Sequence, residues 1–159
     1  MALTVDEFNE CIRKLYEHSK SLHDRWQLIE TNGKGSYLIY TTIDQNCLKS
    51  EYHVIYSESY SVPVLYFNFS RLDGSLLSMD EVWQLFEHRN NANRYETITQ
   101  NEHPILHRPF FFLHPCRTEN LLKTLPNQSE MNRFLFWLSI HAQSVGLLLS
   151  PEYIKLTEQ

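Results

Sequence analysis

Apolar residues recur at Val5, Phe8, Cys11, Ile12, Leu15 and Tyr16, a spacing that predicts a helix over residues 4–20 with Thr4 as its N-cap. From residue 26 the pattern changes. WQLIE (26–30), SYLIYTTI (36–43), SEYHVIYSE (50–58) and PVLYFNF (63–69) are rich in β-branched and aromatic residues. Thr31 to Gly35 and Asp44-Gln45-Asn46 are turn chemistry, so the four runs predict a four-stranded antiparallel meander. In the last run Leu65, Phe67 and Phe69 share one face and Tyr66 and Asn68 the other. Pro63 offers no N–H to a ladder and suits a strand start or an edge.

Beyond the meander, Ser78-Met79-Asp80-Glu81 reads as a capping box opening a short helix over VWQLF. Residues 88–101 are polar with little periodicity and read as a long, mobile loop. Pro104, Pro109 and Pro115 follow within twelve residues and favour extended or turn backbone. Arg117 to Leu125 predicts a short helix. Ser129 caps a longer one to about Ser144, with Met131, Phe134, Leu135, Leu138, Ala142 and Val145 as its buried stripe. Gly146 suits the position past its end, and Pro151 opens a last short segment. The layout is α+β, helices on one face of a sheet, in a single domain over residues 1–159.

Composition narrows the function classes. Apolar residues make up 42% of the chain, enough for a core. The net charge is −5 and Lys and Arg are scattered, so nothing resembles the basic stripe of a nucleic-acid binder. The apolar run from Phe134 to Leu149 is cut by Ser139, His141, Gln143, Ser144 and Gly146, which argues against a membrane span. MALTVDEFNE lacks the apolar centre of a secretory signal. Three widely spaced cysteines then point to free thiols in a reducing, cytoplasmic setting. The one Gly-x-Gly, at Gly33 and Gly35, has no third glycine and no following helix, so no nucleotide site and no cofactor is expected.

Cys11 lies on the first helix's apolar stripe and reads as core. Cys116 does not. It follows Phe110-Phe111-Phe112 and a His-Pro pair, precedes a predicted helix start, and has Arg117 beside it. The residues alone leave a reactive and a structural thiol open. Zinc is a rival, because His103, His107, His114 and Cys116 fall within fourteen residues. Against it stand the absence of any Cys-x-x-Cys and the prolines, which forbid a regular ligand helix, and no metal is expected. A cysteine protease would need a base held on the thiol, and no such signature is present.

The blocks EYHVIYSESYSVPVLYFNF, LDG, TITQNEHPIL, PFFFLHPCRT and WLSI…VGLLLSPEY, in this order, resemble the E2-like conjugating enzymes of autophagy over about residues 37–155. The agreement is with the branch that hands its modifier to a protein. The sister branch, which modifies phosphatidylethanolamine, usually carries a long acidic insertion. The resemblance implies an E2-like (UBC) fold, the four-stranded meander flanked by N- and C-terminal helices, acting as a monomer. It implies that Cys116 receives the ubiquitin-like autophagy-related protein twelve as a thioester. The donor would be an E1-like enzyme resembling autophagy-related protein seven, and the acceptor a lysine of autophagy-related protein five. Ubiquitin E2s carry a His-Pro-Asn triplet whose asparagine helps hold the oxyanion. Here His114, Pro115 and Cys116 fill the triplet, so the motif assigns no such asparagine.

His114 and Tyr56 then stand as supports, with Asn68 as a third choice. His114, in an extended segment, shares a face with Cys116 and either orients the loop or polarises the thioester; a structural His-Pro turn is the alternative. Tyr56, with Tyr52 and Val54 on its face, either lies under the active-site segment or is an amphipathic core tyrosine. The hairpin formed by the second and third strands, with Tyr37, Ile39, Thr41, Ile43, Asp44 and Asn46, is expected to offer an edge to the acceptor protein. A catalytically inert E2-like binding module is the alternative function.

Overall fold

The computed structural model describes residues 3–86, 98–125 and 127–158. Helix α1 (Val5–Ser21) begins at a capping box: Thr4 Oγ1 accepts from the Glu7 amide, and the Glu7 carboxylate accepts from the Thr4 amide at 2.7 Å. Its stripe buries Phe8, Cys11, Ile12 and Leu15. Strands β1 (Trp26–Thr31), β2 (Gly35–Ile43), β3 (Lys49–Ser57) and β4 (Val62–Ser70) follow as consecutive antiparallel neighbours. Gly33 and Gly35 take φ of 80° and 81° in the first turn, backbone that a side chain would oppose.

The sheet has six strands, which corrects the expected four. Short strands β5 (Ile98–Glu102) and β6 (Pro109–Leu113) complete it in the order β1-β2-β3-β4-β6-β5. Both lie where the sequence suggests loop or irregular backbone. β5 is polar because it is the outer edge and buries only Ile98. β6 has no polar alternation because it is covered on both faces, as expected of an interior strand. The prolines bracket these strands rather than preventing them: Pro109 opens β6, Pro104 sits in the β5–β6 connector, and Pro115 follows β6. The residues 88–97 of the expected loop lie outside the described residues, and 98–101 belong to β5. β4 is interior and buried along nearly its whole length; Pro63 is its second residue, beyond the Tyr66–Phe67 stretch that pairs with β6.

Register divides the side chains between two faces. Tyr52, Val54, Leu65, Phe67 and Phe111 point to the helices, where α2 (Met79–Phe86) brings Phe86 and α4 (Glu130–Ser144) brings Phe134. His53, Ile55, Val64, Tyr66 and Phe112 point the other way. Over that second face folds the connector from His103 to Arg108, closed by the bonds His103 N–H to Arg108 O and His107 N–H to His103 O, both 2.9 Å. Both predicted later caps are present: Ser78 and Glu81 exchange bonds at α2, and Ser129 accepts from the Asn132 amide at α4. After α4, Gly146 (φ 88°) turns the chain toward a final 3-10 segment, Pro151–Thr157. Tyr153 there donates to Asp24 at 2.6 Å, tying the segment to the start of β1.

Candidate active site

The end of β6 delivers the chain into a 3-10 turn, Pro115–Arg117, which continues as helix α3 (Thr118–Lys123). His114 is the N-cap of that turn. Its backbone is extended (φ −61°, ψ 127°), and its Nδ1 accepts the Cys116 amide at 3.1 Å. The sequence suggests an extended stretch with both side chains on one face. Instead the imidazole curls back over the turn, and Nδ1, as an acceptor, carries no proton there. Pro115 and Thr118 are buried on either side, whereas Cys116 is exposed. The anchors are buried and the thiol is presented.

The other thiols have different surroundings. Cys11 is buried, and burial pushes its pKa up to about 12, leaving it an inert thiol at neutral pH. Cys47 is exposed at the β2–β3 tip with φ of 61°. The residues of the possible zinc cluster engage separate partners. His103 is buried against His53, His107 pairs with Glu102, and His114 holds the Cys116 amide. Among the described residues no group of three His, Cys, Asp or Glu side chains is arranged to hold a metal.

A groove of about 530 Å³ lies on the second face of the sheet and ends at Pro115. Ile55, Val64, Tyr66 and Phe112 form its floor. One wall is the β3–β4 turn, including Glu58 and Tyr60; the other is the connector, with Pro104, Ile105 and His107. Tyr60 also packs edge-on against His114 at 5.6 Å, and Phe112 lies 5.9 Å from the same ring. Tyr60 was not legible as a site residue, because only the pairing of β3 with β4 and of β4 with β6 brings its turn to the cysteine.

Tyr56 stands on the helix face. Its ring packs on Phe8 at 5.6 Å and its hydroxyl donates to Leu3 O at 2.9 Å. Burial raises its pKa, so it remains a phenol. Tyr56→Phe is expected to remove that one bond at a cost of about 1 kcal/mol, read as a lower urea midpoint. The hairpin residues divide. Tyr37 and Ile39 pair with Ile29 and Gln27 of β1 and are not at an edge. Pairing with β1 stops at Tyr40, so Thr41 to Ile43 are paired only with β3, and Ile43 is 56% exposed. Asp44 accepts from the Asn46 and Leu48 amides at 2.8 and 2.9 Å, which shapes the tip.

A sequence profile described as "Autophagocytosis associated protein, active-site domain" matches residues 39–152, from β2 through Cys116 to the final segment. The chain belongs to this family. Among similar proteins, the human ubiquitin-like-conjugating enzyme ATG10 is 44% identical over 131 residues, 77% of this chain and 60% of that protein. The ATG10 of Dictyostelium discoideum is 39% identical over 123 residues, 66% of this chain and 54% of the relative. The chain thus spans rather more than half the length of the curated relatives it matches. In three dimensions it resembles the crystal structure of an autophagic E2, Atg10. The TM-score is 0.66 at 17% identity, over 92% of this chain and 98% of the other, which speaks for the fold. In this chain β6 leads directly into the turn that carries Cys116.

Proposed function

We propose that this member of the ATG10 family is an E2-like conjugating enzyme whose nucleophile is Cys116. The observation that carries the reading is an exposed thiol in a capped turn, inside the span of the family's active-site domain. In the first step the Cys116 thiolate attacks the thioester carbonyl carbon of a ubiquitin-like modifier held on an E1-like enzyme, and that enzyme's cysteine leaves as thiolate. In the second a neutral lysine amine attacks the Cys116 thioester, Cys116 leaves as thiolate, and the amine loses a proton as the isopeptide bond forms. The donor is an enzyme like autophagy-related protein seven, the modifier autophagy-related protein twelve, and the acceptor autophagy-related protein five. Thr41, Ile43, Asp44 and Asn46, at the open end of the β2–β3 hairpin, are our candidates for contact with the acceptor. No helix among the described residues is long and apolar enough to cross a membrane. The unpaired thiols support placing the reaction in the reducing cytoplasm.

Incubation with the activating enzyme, modifier and ATP is expected to give a heavier band on a non-reducing gel, removed by thiol. A chain that never forms this band is a binding module. His114 is assigned to hold the turn. His114→Ala should leave loading intact and slow transfer to the acceptor about tenfold, as a displaced reacting group would. His114→Asn, which can accept the Cys116 amide in the same way, should recover most of that loss. Equal loss in both variants would shift the role from the Nδ1 bond to the imidazole itself.

A further inference from the structure

Two histidines unused by this mechanism are buried beside the groove. His53 of β3 and His103, at the start of the connector, each have no exposed surface. His53 Nδ1 lies 2.9 Å from His103 Nε2, and His53 Nε2 lies 2.7 Å from Glu51 Oε1. His103 Nδ1 faces the amides of Ile105 and Leu106 at 3.2 and 3.0 Å. These contacts allow one assignment of protons. His103 Nδ1 accepts two N–H bonds, so its proton is on Nε2 and is donated to His53 Nδ1. His53 then carries its proton on Nε2 and donates it to the Glu51 carboxylate. The row runs from a partly exposed carboxylate, which Arg108 also approaches at 3.7 Å, to the backbone of the connector.

Aromatic rings from three neighbouring strands enclose the pair. Tyr37 of β2 stacks on His53 at 5.6 Å, Tyr66 of β4 lies 5.4 Å from His103, and Phe110 of β6 is about 5 Å from both. The facing cations are Arg108 and, if protonated, His107, and the facing anion is Glu51. Burial first, then the adjoining His53 and Arg108, push the His103 pKa down to about 3, and the hydrogen bond from His53 holds Glu51 below the usual carboxylate range. The sign follows. A histidine depressed in the folded state contributes stability that is complete above its ordinary value near 6.5 and is lost as pH falls toward 3.

We propose that His53 and His103 are a positioning pair for transfer: through the Ile105 and Leu106 amides they hold the connector in place as the second wall of the groove beside Cys116. This rests on the reading of Cys116 as the thioester cysteine. The wall bounds a groove lined at one end by Pro115, the residue before the thiol. It therefore shapes the approach of a protein acceptor from that side and matters little to a small nucleophile.

Two substitutions at one position separate this role from bulk stability. His103→Asn places an amide oxygen where Nδ1 stood, able to accept the same two amides in an Asx-type turn, but loses the reach to His53. His103→Gln keeps a donor near the Nε2 position and loses the acceptor that faces the connector. Each is charged with autophagy-related protein twelve and discharged either to autophagy-related protein five or to hydroxylamine. Iodoacetamide labelling of Cys116 and thermal melting are measured alongside. Both variants should melt below the wild type and both should label Cys116 and react with hydroxylamine at its rate. Transfer to the protein acceptor should fall about tenfold or more in the Gln variant, as a misplaced wall would cause, and stay within about threefold in the Asn variant. The Gln defect should be the same at pH 6 and pH 8, because His103 is neutral across that range. Imidazole nitrogen NMR shifts of the wild type should show the His103 proton on Nε2 and its Nδ1 bare. Equal transfer by the two variants, parallel loss of labelling, or a protonated His103 Nδ1 at neutral pH overturns the positioning role. A wild-type chain that never charges overturns the thioester reading as well, and so the two failures are distinguishable.

Discussion

Cys116→Ser is expected to abolish the final conjugate while trapping the modifier on the enzyme. Serine keeps the size and place of the nucleophile in the Pro115–Arg117 turn, and the backbone bond from its amide to His114 Nδ1 does not involve the side chain. What changes is the leaving group. An alkoxide is far more basic than a thiolate, so an oxyester resists the incoming amine where a thioester yields. A conjugating activity at least about a thousandfold below wild type is expected, in the range typical of removing an enzyme's nucleophile. The adduct should survive thiol and be cleaved by mild base. The same substitution at Cys11 or Cys47 should leave conjugation in place, since one is buried as a raised-pKa thiol and the other sits at the hairpin tip. Wild-type conjugation by the Cys116 variant would remove Cys116 from the mechanism.

The largest effect on stability is expected from Phe67→Ala. Phe67 is fully buried at the centre of β4, opposite Tyr52 of β3 and Phe111 of β6. Its ring lies 5.7 Å from Phe69, 5.9 Å from Phe111 and 6.4 Å from Phe86. Truncation removes one ring from a cluster whose other members come from three separate elements, so the hole does not close by one side chain's shift. The expected loss is about 3–5 kcal/mol. That is a large share of the roughly 5–15 kcal/mol that holds an ordinary domain. Urea unfolding should show it as a lower midpoint. A loss below about 1.5 kcal/mol, the range of a volume-conserving swap, would mean that the β4–β6 junction is not the packing centre.

The parts of the fold that could be read from sequence are those whose determinants are local. Thr4 with Glu7, Ser78 with Glu81 and Ser129 each mark a helix start by a bond to the next turn. The first four strands are joined by short turns, so alternation and turn residues suffice. β5 and β6 were hidden for opposite reasons. Thr99 to Glu102 form an outer edge and need not be apolar, while Phe110 to Leu113 are covered on both sides and show no alternation. The same division holds at the site. Cys116 and His114 are adjacent in sequence and legible as a pair. Tyr60 reaches His114 from a turn more than fifty residues earlier, and His53 and His103 meet across a similar separation. A histidine in a strand reads as a surface residue until its partner is known.

The three phenylalanines before the cysteine turn bear on how the molecule moves. Phe111 is held among the helix-side rings, and Phe110 and Phe112 are held on the opposite face by the buried histidines and Tyr66. β6 therefore has no soft side toward which it can swing. Local opening that frees the cysteine turn must break at His114 and leave the strand behind, because loosening β6 would disturb both packing layers together. The thiol thus rides on a short pivot fixed to a rigid post. Its range is the swing of one 3-10 turn, anchored at His114.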